Sequence, residues 1–105
     1  MPETEIEAEI VAKGLTALRI TPDMIDAAIV AEQYYVFPNT TLTVCALTLA
    51  NGYQVTGESA CASLENFDPD IGRKIARNNA RNKIWSLEGY RLRSEIKQKA
   101  DKQHD

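Results

Sequence analysis

The run Thr41-Leu42-Thr43-Val44-Cys45-Ala46-Leu47-Thr48-Leu49-Ala50-Asn51-Gly52-Tyr53-Gln54-Val55-Thr56-Gly57-Glu58-Ser59 decides the fold. Its first half is dense in strand-favouring side chains, and Asn51-Gly52 readily takes the positive φ angles of a two-residue turn. The stretch is predicted to be a β-hairpin in which Ala50 faces Tyr53, Thr48 faces Val55 and Leu47 faces Thr56, with a return strand through about Ser59. Both faces carry apolar residues, so the pair is expected inside a larger sheet or at a subunit interface.

Upstream, Thr21 offers a capping hydroxyl before Pro22, and Asp23 adds an acid to the first turn. A short helix from Pro22 to about Glu32 is predicted, with Met24, Ile25, Ala28 and Ile29 facing the core. Tyr34, Tyr35, Val36 and Phe37 then form an aromatic exit closed by Pro38 and Asn39, read as a loop or short strand. In the first twenty residues, Glu5 to Ile10 alternate acid and apolar side chains, a strand period carried by helix-favouring residue types, and helix and strand both stay open.

Downstream, Asp68-Pro69-Asp70 repeats the helix-start logic and opens a long helix. Ile71, Ile75, Asn78, Asn82 and Trp85 share one stripe, while Ala76, Ala80, Ile84 and Leu87 share the opposite one, so the helix is expected to be covered on both sides. Gly89 predicts a kink or the start of a second helix, and Lys99 to Asp105 reads as a frayed tail. The sum is an α+β fold: an antiparallel β-sheet with a central hairpin, a short N-terminal helix and a long C-terminal helical arm.

A chain of 105 residues, 44% hydrophobic and 26% charged, is the size and composition of one small globular domain. No apolar run approaches the roughly 18 to 20 residues that span a bilayer, and the acidic start Glu3, Glu5, Glu7, Glu9 is unlike a signal peptide, so a cytoplasmic protein is expected. Cys45 and Cys61 form no CxxC pair and the single histidine is His104, so a zinc site or Cys–His nucleophile lacks partners; both cysteines read as buried small hydrophobes.

Charge is unevenly placed. Residues 1–70 carry two cations against eleven acids, whereas residues 71–105 carry ten cations against four acids. The basic part is a candidate anion site, or a set of helix charges that pair with acidic segments of the same chain. Arg73, Arg77 and Arg81 stand four apart, Arg91, Arg93 and Lys97 follow, and Asn78, Asn79, Asn82, Phe67 and Trp85 add amides and stacking faces. Together they outline a nucleotide-sized pocket. The competing readings are a solvated helix face for the arginines, a core anchor for Trp85 and local backbone contacts for the asparagines. The small residues of Gly57-Glu58-Ser59-Ala60-Cys61 suggest close backbone packing or a ligand-contact turn, because a serine or cysteine nucleophile there has no base. Glu58 and Glu65 make only a weak carboxylate pair, and an enzyme is not expected.

The strings Thr43-Val44-Cys45 to Asn51-Gly52, Gly57-Glu58-Ser59-Ala60-Cys61, Glu65-Asn66-Phe67-Asp68, Ile71-Gly72-Arg73-Lys74-Ile75-Ala76, Lys83-Ile84-Trp85 and Leu87-Glu88-Gly89-Tyr90 together resemble a family of small phage proteins that includes the Thoeris anti-defence protein of the first type. The resemblance covers roughly residues 20 to 96. It implies a sponge that binds a cyclic ADP-ribose isomer made by TIR-domain enzymes, and in some members cyclic oligonucleotides, without cleaving them, so that Thoeris-type or CBASS-type effectors see no signal. It implies no cofactor or metal, and a homo-oligomer, a hexamer being one form, with sites built between chains. By motif Phe67 matches the family's ligand-stacking phenylalanine; Arg77 or Asn78 fills its polar helical position and Arg91 or Arg93 its basic one. Two other classes compete: a phage protein that binds a host protein through the hairpin and acidic N-terminus, and a nucleic-acid binder. The second is weakened by a net charge of −3 and a pI of about 5.1.

Overall fold

The computed structural model describes residues 3–14 and 18–103; parts of the first twenty residues, together with His104 and the end of the expected frayed tail, lie outside the described residues. The chain forms two compact units, one from Ala27 to Ile84 and one from the segments before Ala27 and after Ile84. Its elements are α1 (Glu3–Ala12), α2 (Pro22–Ala28), β1 (Ile29–Val36), β2 (Thr43–Leu49), β3 (Gln54–Ser59), a 3₁₀ turn (Leu64–Asn66) and α3 (Pro69–Gln103). The class is α+β, with an antiparallel sheet in the order β1-β2-β3.

The hairpin forms, with a register one residue away from the expected one. Thr48 pairs with Gln54, Leu47 with Val55 and Ala46 with Thr56. Only Gly52 in the turn has a positive φ, at 90°, and its amide donates to the Leu49 carbonyl at 2.8 Å while the Leu49 amide donates to Tyr53 at 2.8 Å. The loop therefore holds three residues, Ala50 to Gly52, with glycine in the left-handed position. Asn51 keeps ordinary φ and uses its side chain instead, accepting from the Tyr53 amide at 2.9 Å. Burial explains the choice: this register sets Leu47 and Val55 on the same buried face, whereas the two-residue turn would oppose Leu47 to polar Thr56.

The helix expected to run to Glu32 stops at Ala28, and Ile29 opens an eight-residue strand. The Ala50 amide donates to the Ala28 carbonyl at 2.9 Å, and β1 pairs along β2, so long-range pairing overrides the helical spacing of Met24, Ile25, Ala28 and Ile29. Thr21 does cap α2, accepting from the Met24 amide at 3.3 Å. Between Ile29 and Ala31 the register shifts at a β-bulge. Ile29 sits opposite Leu49, but beyond the bulge Glu32, Tyr34 and Val36 sit opposite Leu47, Cys45 and Thr43. The bulge thus turns Glu32 and Tyr34, rather than Gln33 and Tyr35, toward the buried face.

That face is covered by α3. Asp68 caps the helix, its carboxylate accepting from the Asp70 and Ile71 amides at 2.9 and 3.3 Å. The stripe Gly72, Ala76, Ala80 and Ile84 is buried, and at Gly57 of β3 a Cβ would lie 2.3 Å from the Ala76 carbonyl oxygen and 2.2 Å from the Ala80 amide nitrogen. Gly57 therefore serves backbone packing, and Asn79 Nδ2 reinforces the contact by donating to the Glu58 carbonyl at 2.9 Å. The core consists of Cys45, Leu47, Leu49 and Val55 from the sheet with Ala76, Ala80 and Ile84 from the helix.

The structure refines the reading of α3. Its stripe Ile71, Ile75, Asn78, Asn82 and Trp85 is covered only in part, for Trp85 is half-buried while Ile71 and Ile75 are 56% and 46% exposed. No second helix starts at Gly89, since α3 runs through it as one element: a single glycine costs only about 1 kcal/mol. The helix also persists past Lys99 to Gln103, with Lys97 bonded to Asp101 at 2.8 Å.

Thr43 is fully buried, and among the described residues its hydroxyl finds no hydrogen-bond partner. Thr43→Val removes that desolvated hydroxyl at constant shape, so the variant is expected to match the parent or to gain about 1 kcal/mol in urea unfolding. A loss of stability would show that the hydroxyl is satisfied in solution.

In the second unit, α1 is a helix, which resolves the mixed signals of the first twenty residues for that stretch. None of its side chains is buried. It is held by polar contacts: Arg19 forks onto Glu7 at 2.9 and 2.5 Å, and the Trp85 indole nitrogen donates to Glu3 at 3.2 Å. The Arg19 fork holds the Glu7 carboxyl below its ordinary range. Trp85 is half-buried and Ile25 fully buried.

Candidate functional site

Within the sheet unit, a cleft of about 440 Å³ opens between β1 and the first turns of α3, lined by Glu32, Tyr34, Asp70, Arg73, Lys74 and Arg77. The strand contribution follows from the bulge, which aims alternate residues Glu32 and Tyr34 at the helix. The helix contribution follows from 3.6-residue periodicity: Arg73 and Arg77 flank the buried Gly72–Ala76 stripe and emerge beside the sheet edge. The centre of the site is an ion pair linking two elements, Arg77 Nε donating to Glu32 Oε2 at 2.8 Å. Tyr34 donates its hydroxyl to the other carboxylate oxygen of Glu32 at 3.2 Å. Arg73 pairs with Asp70 one turn earlier on its own helix.

These contacts set the local proton affinities. The Arg77 guanidinium holds the Glu32 carboxyl below the usual carboxylate range. Burial, together with the nearby Cys45 and Glu32, pushes the Tyr34 phenol up to about 12, so it remains a neutral donor at physiological pH. Burial also raises the Cys45 thiol, keeping it an uncharged core group. Three cations against two carboxylates leave the cleft with a surplus of one positive charge. Arg and Lys donors beside an aromatic ring suit a phosphate with an attached organic group.

Of the ligand residues expected from the resemblance, Phe67, Arg77, Asn78, Arg91 and Arg93, Arg77 lines this cleft, and Arg73 of the basic row joins it there. Phe67 follows the 3₁₀ turn, half-buried, with its ring edge 3.4 Å from the point where a Gly72 Cβ would stand. Asn78 is exposed, and its neighbour Asn79 makes the sheet contact. Arg91 and Arg93 belong to the other unit and are exposed. Arg91 is committed to Glu88 and Glu95 at 2.9 and 2.6 Å, which raises its already high pKa. Arg81, too, is engaged. In the free chain, the basic row is therefore extensively paired with the protein's own acids.

Sequence reasoning missed Glu32 and Tyr34 because it ended the preceding helix at Glu32 and read the aromatics as an exit. The alternation of Glu32, Tyr34 and Val36 carries the strand signal, but the bulge that decides its facing has no mark in the sequence. Cys61 is half-buried, not buried, with its sulfur 3.1 Å from the Ser63 carbonyl oxygen. Among the described residues no cluster of three or more His, Cys, Asp or Glu side chains is placed to hold a metal, and no helix is long and apolar enough to cross a membrane.

No curated protein and no solved structure matches the chain. Residues 20–96, from the start of α2 through most of α3, match a described family. With the match spanning the sheet, the bulged strand and the cleft, this chain belongs to the phage protein (N4 Gp49/phage Sf6 gene 66) family.

Proposed function

We propose that the protein is a phage counter-defence protein that binds and sequesters a cyclic nucleotide immune signal without cleaving it. The ligand is a cyclic ADP-ribose isomer made by TIR-domain enzymes, or a cyclic oligonucleotide, and the action is in the cytoplasm of the bacterial host. The observation that carries this reading is the cleft that gathers Arg73, Lys74 and Arg77 beside the neutral Tyr34 phenol in a chain of a phage family. Phosphate oxygens exchange for the carboxylates that now hold the arginines, since both anions use the same N–H donors. Sequestration needs affinity and protein in excess of the messenger, with no bond-making group. Exposed Ile71 and Ile75 on the same helix favour a homo-oligomer, with Phe67, Asn78, Arg91 and Arg93 as further ligand contacts supplied across chains.

The test is capture and release. The purified protein is mixed with the cyclic ADP-ribose isomer, free ligand is removed by filtration, and the protein is heat-denatured. Intact messenger in the released fraction is the expected result. Absence of capture at micromolar protein would reject the reading, and a cleaved product would make the protein an enzyme.

A second reading, capture of a host protein, draws on one feature. Tyr35 and Phe37 are both exposed and stack edge to face, with ring centroids 4.7 Å apart at 89°. Such a pair is a typical contact anchor. Loss of host-protein binding by Tyr35→Ala, with no small-molecule capture by the parent, would favour it.

A further inference from the structure

Trp85 takes no part in the cleft. Its indole is engaged by α1, within the unit formed by the segments before Ala27 and after Ile84, and α1 docks there with its pattern inverted. A helix that covers its own protein ordinarily turns apolar residues inward. Here Glu3, Glu7 and Ile10, spaced to share one face, are the half-buried side chains of α1, whereas Ile6 and Val11 are 41% and 56% exposed. The inward carboxylates take two donors: Glu3 accepts from the Trp85 indole nitrogen at 3.2 Å, and Glu7 takes the Arg19 fork. Glu3 engages in a further interaction as well. No side chain of α1 is buried, and a ten-residue helix is marginal by itself in water, so polar contacts rather than a core keep α1 in place. A cleft of about 440 Å³, lined by Thr4, Glu7, Arg19, Thr21, Pro22 and Asp23, opens beside the fork and exposes it to solvent.

The same helix reverses the charge of the surface on which it sits. The described residues of this unit hold seven cations against nine acids; without α1 they hold six against five. We propose that α1 is a releasable latch over a docking surface for an acidic helix, in which Arg19 and the Trp85 indole receive carboxylates spaced one helical turn apart. The occupant in the free protein is α1 itself, and it defines what the surface accepts: Glu3 and Glu7 stand about 6 Å apart along the helix axis. Carboxylates suit release, because they regain full hydration when the arm lifts, whereas an apolar stripe would be returned to water at a cost. An acidic helix of another protein, presenting Glu or Asp at the same spacing, competes for the same two donors. A nucleic acid is disfavoured, since the uncovered surface has a surplus of a single positive charge. The latch is independent of the phosphate reading: Arg73, Lys74 and Arg77 belong to the sheet unit and contribute nothing to it.

The reporter is intrinsic, because Trp85 is the single tryptophan of the chain and residues 1–14 contain no aromatic side chain. Acrylamide quenching of Trp85 fluorescence is compared between the full-length protein and Glu3→Ala/Glu7→Ala. Alanine keeps helix propensity, so the substitutions remove what the two carboxylates contribute to docking and leave the helix itself able to form. The variant is expected to be quenched about twofold more strongly than the parent, as a locally opened segment would be. A synthetic peptide of residues 1–14, added at concentrations on the order of millimolar to match the effective concentration of a tethered arm, is expected to restore the shielding. The same peptide with both alanines is expected to have no effect. Arg19→Ala cuts the fork from the other side and is expected to raise quenching without rescue by either peptide; it also serves where the double variant fails to give the parent's circular dichroism. Unchanged quenching in both variants would overturn the latch. Raised quenching that the acidic peptide does not reverse, or that both peptides reverse equally, would overturn the acidic docking surface. Capture of the cyclic ADP-ribose isomer is measured separately on the parent, so the sponge reading stands or falls without regard to these results.

Discussion

Gly57→Ala is expected to cost about 3 kcal/mol or more, a large part of the roughly 5 to 15 kcal/mol that holds a domain together. The added methyl would stand 2.2 Å from the Ala80 nitrogen and 2.3 Å from the Ala76 oxygen. Both are backbone atoms of α3, so no rotamer change relieves the overlap, and the helix must lift from the sheet. Overpacking that side chains can absorb costs about 1 to 3 kcal/mol, and a clash with two helix backbone atoms lies at or beyond the top of that range. Because α3 carries Arg73, Lys74 and Arg77, the same change should separate them from Glu32 and Tyr34 and abolish the proposed ligand capture. Thermal melting followed by circular dichroism decides it. A melting curve like the parent's would mean that α3 does not rest on β3 at this point.

Leu47→Ala is the second large effect, at about 2 to 5 kcal/mol. Leu47 is fully buried at the middle of the central strand, paired with Glu32 on one side and Val55 on the other. Truncation removes the burial of its side chain and leaves a cavity beneath α3, in a sheet whose neighbours are already fixed by two ladders of hydrogen bonds. In urea the unfolding midpoint should fall with little change in slope. A midpoint shift worth less than about 1 kcal/mol would mean that the register places Leu47 elsewhere.

The proposed function depends on an exchange of anions on arginine. Surface pairs of this exposure contribute about 0.2 to 1 kcal/mol each, weak enough for a phosphate to displace. The family match shows a phage protein, and the cleft supplies three cationic donors on which the proposed exchange would take place.

Much of the architecture was legible from residues. The hairpin, the caps at Thr21 and Asp68, the close packing at Gly57 and the stripe Ala76, Ala80, Ile84 are short-range or periodic features, and local chemistry specifies them. The candidate site was legible only in part: Arg77 and the basic edge were visible, while Glu32 and Tyr34 were not.

What the sequence by itself determined is the α+β class, the strand-turn-strand unit and the start of the long helix, because propensity, turn chemistry and capping act over a few residues. Tertiary structure alone decided three things. It shortened α2 at Ala28, since pairing with β2 outweighs a weak helical period. It chose a three-residue loop over a two-residue one, since only that register buries Leu47 and Val55 together. It also placed a bulge in β1, which points Glu32 and Tyr34 at Arg77. A strand's facing reverses with a single residue, and the free energy that selects between the two facings comes from the helix and sheet packed against it, which no local stretch of sequence contains.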